Sequence, residues 1–364
     1  MIKWRDFDLW LFIATLLLMF TGFAMVYSAT KGVGGLERLY VQQMIYGAIG
    51  LGIMFVLAVV DYSLLEHFSW PFYIIALTLL VAVLFKGKSL YGAQRWLELG
   101  PITFQPSEPA KILITIALAA YFSRLGEKVK LFRYILLSMA MVAIPASLVY
   151  LQPDLGTAIV LVVIWLALAW QGGVKLSHLG ILGLVGLLLS PLIWFSLKDY
   201  MRKRILIFLN PNLDPGANYN LQQALIGLGS GGLFGKGFAR GSQSQLQFLR
   251  VRHTDFIFSV IGEELGFAGA VLVLSLLFVV IWRFFLIASR AKDKFGALIA
   301  TGVGAMLLFQ VMVNVGMNLG LMPVTGIPLP FISSGGSALL TFLAAEGLVQ
   351  SISMRRKKLD VVTS

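Results

Sequence analysis

The chain of 364 residues has no cysteine, which excludes disulfides and thiolate-bound metal centres. Charge is also scarce, at 13% of residues. No Walker loop, zinc signature or haem motif is present, so nothing supports ATP-driven transport by this chain alone. A cleaved signal peptide is not expected either. Lys3 and Arg5 precede an apolar run at 9–29 that is too long for a signal core, and a second run follows soon after. Nucleic acid is excluded as a partner, because the cations are spread over loops between apolar runs.

What the chain has in abundance is apolar surface, with 58% hydrophobic residues. Runs of about 20 such residues span a bilayer as helices. Ten spans are expected, near 9–29, 40–60, 67–85, 107–123, 132–150, 155–171, 174–197, 266–287, 296–318 and 337–353. The predicted class is an all-α polytopic membrane protein, one integral membrane domain over 1–364. Trp70-Pro71 is expected to bend or shorten the third span, and Pro191 to kink the seventh. Gly180, Gly183 and Gly186 form a stripe on the seventh, expected to serve close helix packing.

Orientation follows from lysine and arginine in the short loops. With the N-terminus inside, the inner segments carry fifteen: Lys3, Arg5, Arg124, Lys128, Lys130, Arg133, Lys175, Arg283, Arg290, Lys292, Lys294, Arg355, Arg356, Lys357 and Lys358. The outer short loops carry five: Lys31, Arg38, Lys86, Lys88 and Arg95. Both termini are therefore expected in the cytoplasm. A long polar segment at 198–265 then faces outward between the seventh and eighth spans. It mixes glycine-rich sequence with Arg202, Lys203, Arg204, Lys236, Arg240, Arg250 and Arg252, and with Phe234, Phe238, Phe248, Phe256 and Phe258. Such loops are functional or disordered; its aromatics favour a binding and reaction surface.

Several polar groups carry two readings each. Asp255, just before an apolar run, either caps a helix or acts as a base, with Arg250 and Arg252 keeping it ionised. Glu108 and Lys111 share a helix face and either form a structural ion pair or line the same outer cavity as Asp255. Asp154, in Gln152-Pro-Asp-Leu-Gly-Thr157, either caps the sixth span or supplies a second carboxylate that shares a divalent ion with Asp255. Ser333-Ser334-Gly-Gly offers backbone N–H groups to an anion, or serves as an ordinary loop and cap. Asn314 and Asn318, one turn apart, suit interhelical hydrogen bonds. Glu346 is the one acid deep in a span, either functional or a packed, partnered residue.

Six ordered blocks together resemble the SEDS family (shape, elongation, division and sporulation) over nearly the whole chain. They are Gln105-Pro-Ser-Glu-Pro-Ala-Lys111, Gln152-Pro-Asp-Leu-Gly-Thr157, Gly229-Ser-Gly-Gly-Leu-Phe-Gly-Lys-Gly237, Val251-Arg-His-Thr-Asp-Phe-Ile-Phe258, Gly262-Glu-Glu-Leu-Gly266 and Gly326-Ile-Pro-Leu-Pro-Phe-Ile-Ser-Ser-Gly-Gly336. Gln243-Ser-Gln-Leu-Gln-Phe248 and the short tails favour the elongation type over the division type. The resemblance implies a peptidoglycan glycosyltransferase that polymerises lipid II outside the bacterial cytoplasmic membrane, beside a class B penicillin-binding protein. It implies that Asp255 is the essential carboxylate and that Glu108 and Lys111 are important. It also implies a divalent cation, magnesium or manganese, whose ligands do not follow from the sequence.

The residues agree with that expectation. A basic, glycine-rich outer segment suits a pyrophosphate, aromatics suit sugar faces, and apolar grooves suit a polyprenyl tail. Asp255 would take a proton from a sugar 4-hydroxyl in a single inverting displacement. The leaving charge would fall to some of Lys111, Arg202, Arg204, Arg250 and Arg252, with Lys236 also in the basic segment. The rival readings are a lipid II flippase, which needs a polar route across both faces, and a non-catalytic scaffold of a cell-wall synthase, which does not need Asp255.

Overall fold

The computed structural model describes residues 4–90, 93–99, 102–246, 248–249 and 251–356. Lys3, Arg250, Lys357 and Lys358 lie outside the described residues. The chain order begins with α1 (Leu9–Thr30), α2 (Leu39–Val59), a short α3 (Leu64–His67) and α4 (Ser69–Lys86). An antiparallel sheet follows, of β1 (Lys88–Leu90), β2 (Ala93–Leu99) and β3 (Ile102–Phe104), in the order β1-β2-β3. Next come α5 (Ser107–Leu125), α6 (Phe132–Leu151), α7 (Leu155–Gly172) and α8 (Leu176–Ser196). The polar segment after α8 holds α9 (Asp199–Leu209), α10 (Pro215–Ser230) and the short α11 (Ser242–Gln245). The last three helices are α12 (Ile257–Ser289), α13 (Lys294–Asn318) and α14 (Gly336–Met354).

Among the described residues, eight helices are long and apolar enough to cross a membrane: α1, α2, α4, α6, α7, α12, α13 and α14. α8 is as apolar, over the shorter stretch Leu176–Leu192. α5 carries Glu108, Lys111 and Arg124, yet most of its length is buried between neighbours. These two complete the ten expected spans and the all-α membrane class. α14 is the most enclosed helix and packs along α2. A Cβ on Gly347 would lie 2.5 Å from the Met54 carbonyl oxygen, so these two backbones touch because glycine stands there.

Two local expectations change. The break near the third span lies at Phe68, between α3 and α4, and not at Trp70-Pro71. Pro71 falls in the first turn of α4, where its missing N–H costs nothing. Pro191 lies inside α8, which runs on to Ser196. The glycine stripe of α8 packs on nothing among the described residues, since a Cβ at Gly180, Gly183 or Gly186 would meet no atom within 4 Å.

The largest change concerns residues 198–265, which are mostly helical rather than a structureless loop. α12 begins inside this segment and breaks at Gly266, whose φ of 70° is open to glycine. The break frees backbone groups, and the glycine-rich sequence pairs with them. Lys236 N and Gly237 N donate to Glu263 O and Glu264 O, both at 3.0 Å. Phe267 N and Ala268 N donate to Gly232 O and Leu233 O at 2.9 and 3.0 Å. Gly231 and Gly235 are thus spent on close backbone contact. The acids of the same block are tied locally. Glu263 accepts from Lys236 Nζ, Gln243 N and Ser244 N, and Glu264 from Ser28 Oγ and Ala239 N.

A Cβ on Gly231 would lie 1.9 Å from the Gly262 carbonyl oxygen. Gly231→Ala should therefore lower the thermal unfolding midpoint in detergent by several degrees, as overpacking costs about 1–3 kcal/mol. Gly180→Ala should leave it unchanged or raise it. Equal midpoints for Gly231→Ala and the wild type would contradict this packing.

Candidate active site

Asp255 ends the segment that leads into α12, and the carbonyl oxygens of three successive residues hold that segment. His253 O accepts from Ser334 N at 2.9 Å and Thr254 O from Ser333 Oγ at 2.7 Å. Asp255 O accepts from the side-chain amides of Asn314 and Asn318 at 3.1 and 2.9 Å. Asn318 Oδ1 in turn accepts from Ser259 N and Ser259 Oγ at 3.1 and 2.7 Å, which fixes the start of α12. The N-cap of α12 is Phe256, and no side chain caps it. Asp255 therefore does not cap the helix, and it is the Asp255 main-chain carbonyl, not the carboxylate, that takes the bonds from α13.

That carboxylate lines a cavity of about 250 Å³ with Arg204, Ile207, Phe208, Asn218, Leu221 and Pro323 among its walls. Burial pushes the Asp255 carboxyl above the ordinary carboxylate range, while Arg204, the Thr254 hydroxyl and Arg95 act against that rise. Among the described residues the cations that offset its burial are thus Arg204 and Arg95, and the expected Arg252 is not one of them; Arg250 lies outside the described residues. Arg252 is turned away and buried, donating to Ala29 O at 2.5 Å and Leu249 O at 3.2 Å. His253 is held below its usual range by burial and by Arg252.

Arg204 Nη1 donates to Val324 O and Thr325 O at 3.1 and 3.3 Å, which seats the guanidinium against the proline loop. A smaller adjoining cavity lies between Arg204, Arg95 and Tyr200. Arg95 donates to Gln152 O at 3.2 Å and to Pro153 O, and lies 3.7 Å from Asp154 Oδ1. Sequence reasoning placed Arg95 only in a charge count; its contact with the turn before α7 had no local signal.

The other expected site residues lie elsewhere. Asp154 caps α7, accepting from Thr157 N at 3.2 Å and Thr157 Oγ at 3.0 Å, and is not a second cavity acid beside Asp255. Arg202 holds the end of α8 through Trp194 O at 3.0 Å and Phe195 O. Lys236 pairs with Glu263 at 2.9 Å. The Ser333 hydroxyl and the Ser334 N–H serve the Asp255 segment, and the Ser333 N–H donates to Leu329 O at 3.0 Å, so these three groups are already engaged. Glu108 and Lys111 are buried, with Lys111 Nζ 2.9 Å from each Glu108 carboxylate oxygen and 5.7 Å from the Phe342 ring centre. They line neither of the two cavities at Asp255 and Arg95. Glu346 is fully buried, and neither of its carboxylate oxygens accepts a hydrogen bond among the described residues.

A divalent cation has suitable oxygen donors at Asp255. The side-chain oxygens of Asn218 and Asn220, two residues of the same cavity wall, accept no hydrogen bond. Hard cations favour carboxylate and amide oxygens. Among the described residues no group of three or more histidines and acids is present, so these few donors would leave room for water or substrate oxygens.

Residues 8–358 match the family FTSW_RODA_SPOVE, described as cell cycle protein. The peptidoglycan glycosyltransferase MrdB of Escherichia coli K12 is 40% identical over 352 residues, covering 96% of this chain and 94% of that protein. A solved chain of a peptidoglycan synthase complex that coordinates polymerization and crosslinking superposes with a TM-score of 0.83 at 34% identity, covering 98% of this chain and all of the other. The rod shape determining protein RodA of Thermus thermophilus superposes with a TM-score of 0.72 at 31% identity, covering 98% and 99%.

The buried ion pair gives a test. Lys111→Met leaves a buried carboxylate without its cation and should cost about 3–5 kcal/mol of stability, whereas the double variant Glu108→Gln/Lys111→Met should recover most of it. Unfolding of the three proteins in the same detergent checks this. Equal losses in the single and the double variant would show that the pair is not held by its charges.

Proposed function

The chain belongs to the FtsW, RodA and SpoVE family of cell cycle proteins and is a peptidoglycan glycosyltransferase, and we propose that it polymerises lipid II at the outer face of the bacterial cytoplasmic membrane during rod-shaped growth. The observation that carries this reading is the pairing of a fold-free carboxylate, Asp255, with a seated guanidinium, Arg204, in one cavity. The first suits a proton acceptor and the second a departing phosphate.

Asp255 accepts the proton of the acceptor sugar 4-hydroxyl as that oxygen attacks the anomeric carbon of the donor. The bond from the anomeric carbon to the pyrophosphate oxygen breaks, and undecaprenyl pyrophosphate leaves with the electron pair. α-Linked donor becomes β-linked glycan in one inverting step. Of the cations first considered, Arg204 is placed to meet the leaving charge, and Arg95 joins it. A magnesium or manganese ion held by Asp255 and the amide oxygens of Asn218 and Asn220 would add positive charge beside the pyrophosphate. Apolar helix faces in the membrane lipid suit the polyprenyl chains. A class B penicillin-binding protein, the transpeptidase that crosslinks the strands, is the proposed partner.

Purified protein with labelled lipid II tests the chemistry. Asp255→Asn should polymerise about 10²–10⁴-fold more slowly than wild type. Folding should survive, because the bonds from α13 that hold this segment end on the Asp255 main-chain carbonyl and not on its carboxylate. The base must be deprotonated, and burial raises its pKa. Wild-type turnover should therefore fall with acidification at a pH above about 4, the ordinary carboxylate value. Near wild-type polymerisation by Asp255→Asn would reject the assignment.

Orientation has its own test, made clean by the lack of native cysteine. Phe234→Cys, 84% exposed in the glycine-rich turn, should react with an impermeant thiol reagent in intact spheroplasts. Lys128→Cys, between α5 and α6, should react only after lysis. The opposite pattern would invert the topology and place Asp255 in the cytoplasm.

A further inference from the structure

We propose that Asn314 is a positioning residue that sets the spacing between Asp255 and Arg204. Its amide nitrogen has two hydrogens and two carbonyl partners. One is Asp255 O at 3.1 Å, and the other is Ile327 O at 2.8 Å. Ile327 lies on the loop whose Val324 and Thr325 carbonyls seat Arg204. A single side chain on the membrane helix α13 therefore grips the base through its own backbone and the cation through the loop that carries it. The same loop crosses the face of the carboxylate, since a Cβ on Gly326 would lie 3.7 Å from Asp255 Oδ2.

The contrast with Asn318 sharpens the assignment. Both side chains are fully buried. Asn318 spends its bonds on Asp255 O, on Asn314 O and on Ser259, so it fixes the segment to the start of α12 without reaching the proline loop. Among the described residues Asn314 is the side chain bonded to both the Asp255 backbone and that loop. Removing its amide leaves two buried carbonyls with fewer donors and lets the loop, and Arg204 with it, move relative to Asp255.

This inference rests on the proposed polymerisation, and wild-type turnover of lipid II in the same assay separates the two. The full chain with its transpeptidase partner, in lipid nanodiscs, is assayed as wild type, Asn314→Ala, Asn314→Ser, Arg204→Lys and Asn314→Ala/Arg204→Lys. Misplacing a catalytic group by about 1 Å costs about 10²-fold, so Asn314→Ala should lose about that much kcat with the lipid II KM little changed. Arg204→Lys should cost less in the Asn314→Ala background than alone, since the spacing it exploits is already lost. Asn314→Ser, with a hydroxyl that keeps one donor, should recover part of the rate, and it carries the test where Asn314→Ala folds poorly. An Arg204→Lys cost that is the same in both backgrounds would overturn the proposal, leaving Asn314 a packing residue. Wild-type turnover in both asparagine variants would also overturn it. Absence of turnover by the wild type would instead overturn the function on which the proposal is built.

Discussion

Hydrogen bonds to the backbone carbonyls of His253, Thr254 and Asp255 are the constraint from which the arrangement around the site follows. Four donors from two sources, the final outer loop and the end of α13, converge on three consecutive residues. A segment held in this way needs nothing from its side chains. The carboxylate of Asp255 is left to the cavity, where burial and two guanidinium groups set its acidity. A carboxylate that capped α12 would be stabilised in its charged form and would be a poorer base. Positioning through the main chain separates the demands of folding from those of proton transfer.

The same economy governs the other charged groups. Cations on the outer side end mostly on carbonyl oxygens or local acids. Lys203 meets Asp214 at 2.5 Å, Lys236 meets Glu263, and Arg202 and Arg252 close the ends of α8 and α1. Glu108 and Lys111 satisfy one another inside the helix bundle. Arg204 differs because its carbonyl partners lie on the wall of the cavity, so it faces the space where a phosphate would arrive. The high cation count of the outer segment is explained mainly by architecture, and only a small part of it serves the site.

The spans were legible because hydrocarbon thickness dictates run length, and apolar runs of that length are hard to miss. α9 and α10 were not, because each is short and flanked by polar or proline-rich sequence that carries no long apolar period. The sheet at 88–104 escaped for a similar reason, having two strands of three residues. Asp255 stood out through its place before an apolar run and through the resemblance. Arg204 could not be told from Arg202 and Lys203 beforehand. Adjacent residues point in different directions around a helix, and which direction meets the cavity depends on the proline loop about 120 residues later. Asn314 and Asn318 suggested interhelical hydrogen bonds, and Asn318 does accept from Ser259 of α12, but both amides donate to the carbonyl of Asp255 outside any helix, which is a tertiary fact. The glycine-rich block misled, because close backbone packing at Gly266 and anion binding ask for the same residue type.

In the proposed mechanism Asp255 and Arg204 divide the reaction between a base for the acceptor and a counter-charge for the leaving group, and their mutual placement is the central claim. An experimental structure of the full chain with undecaprenyl pyrophosphate bound tests it most directly. The account predicts the pyrophosphate at Arg204 and Arg95, an unmoved backbone at 253–255, and open space beside the Asp255 carboxylate for an acceptor hydroxyl. A pyrophosphate seated on the glycine-rich turn at 229–237, or on Ser333 and Ser334, would contradict it.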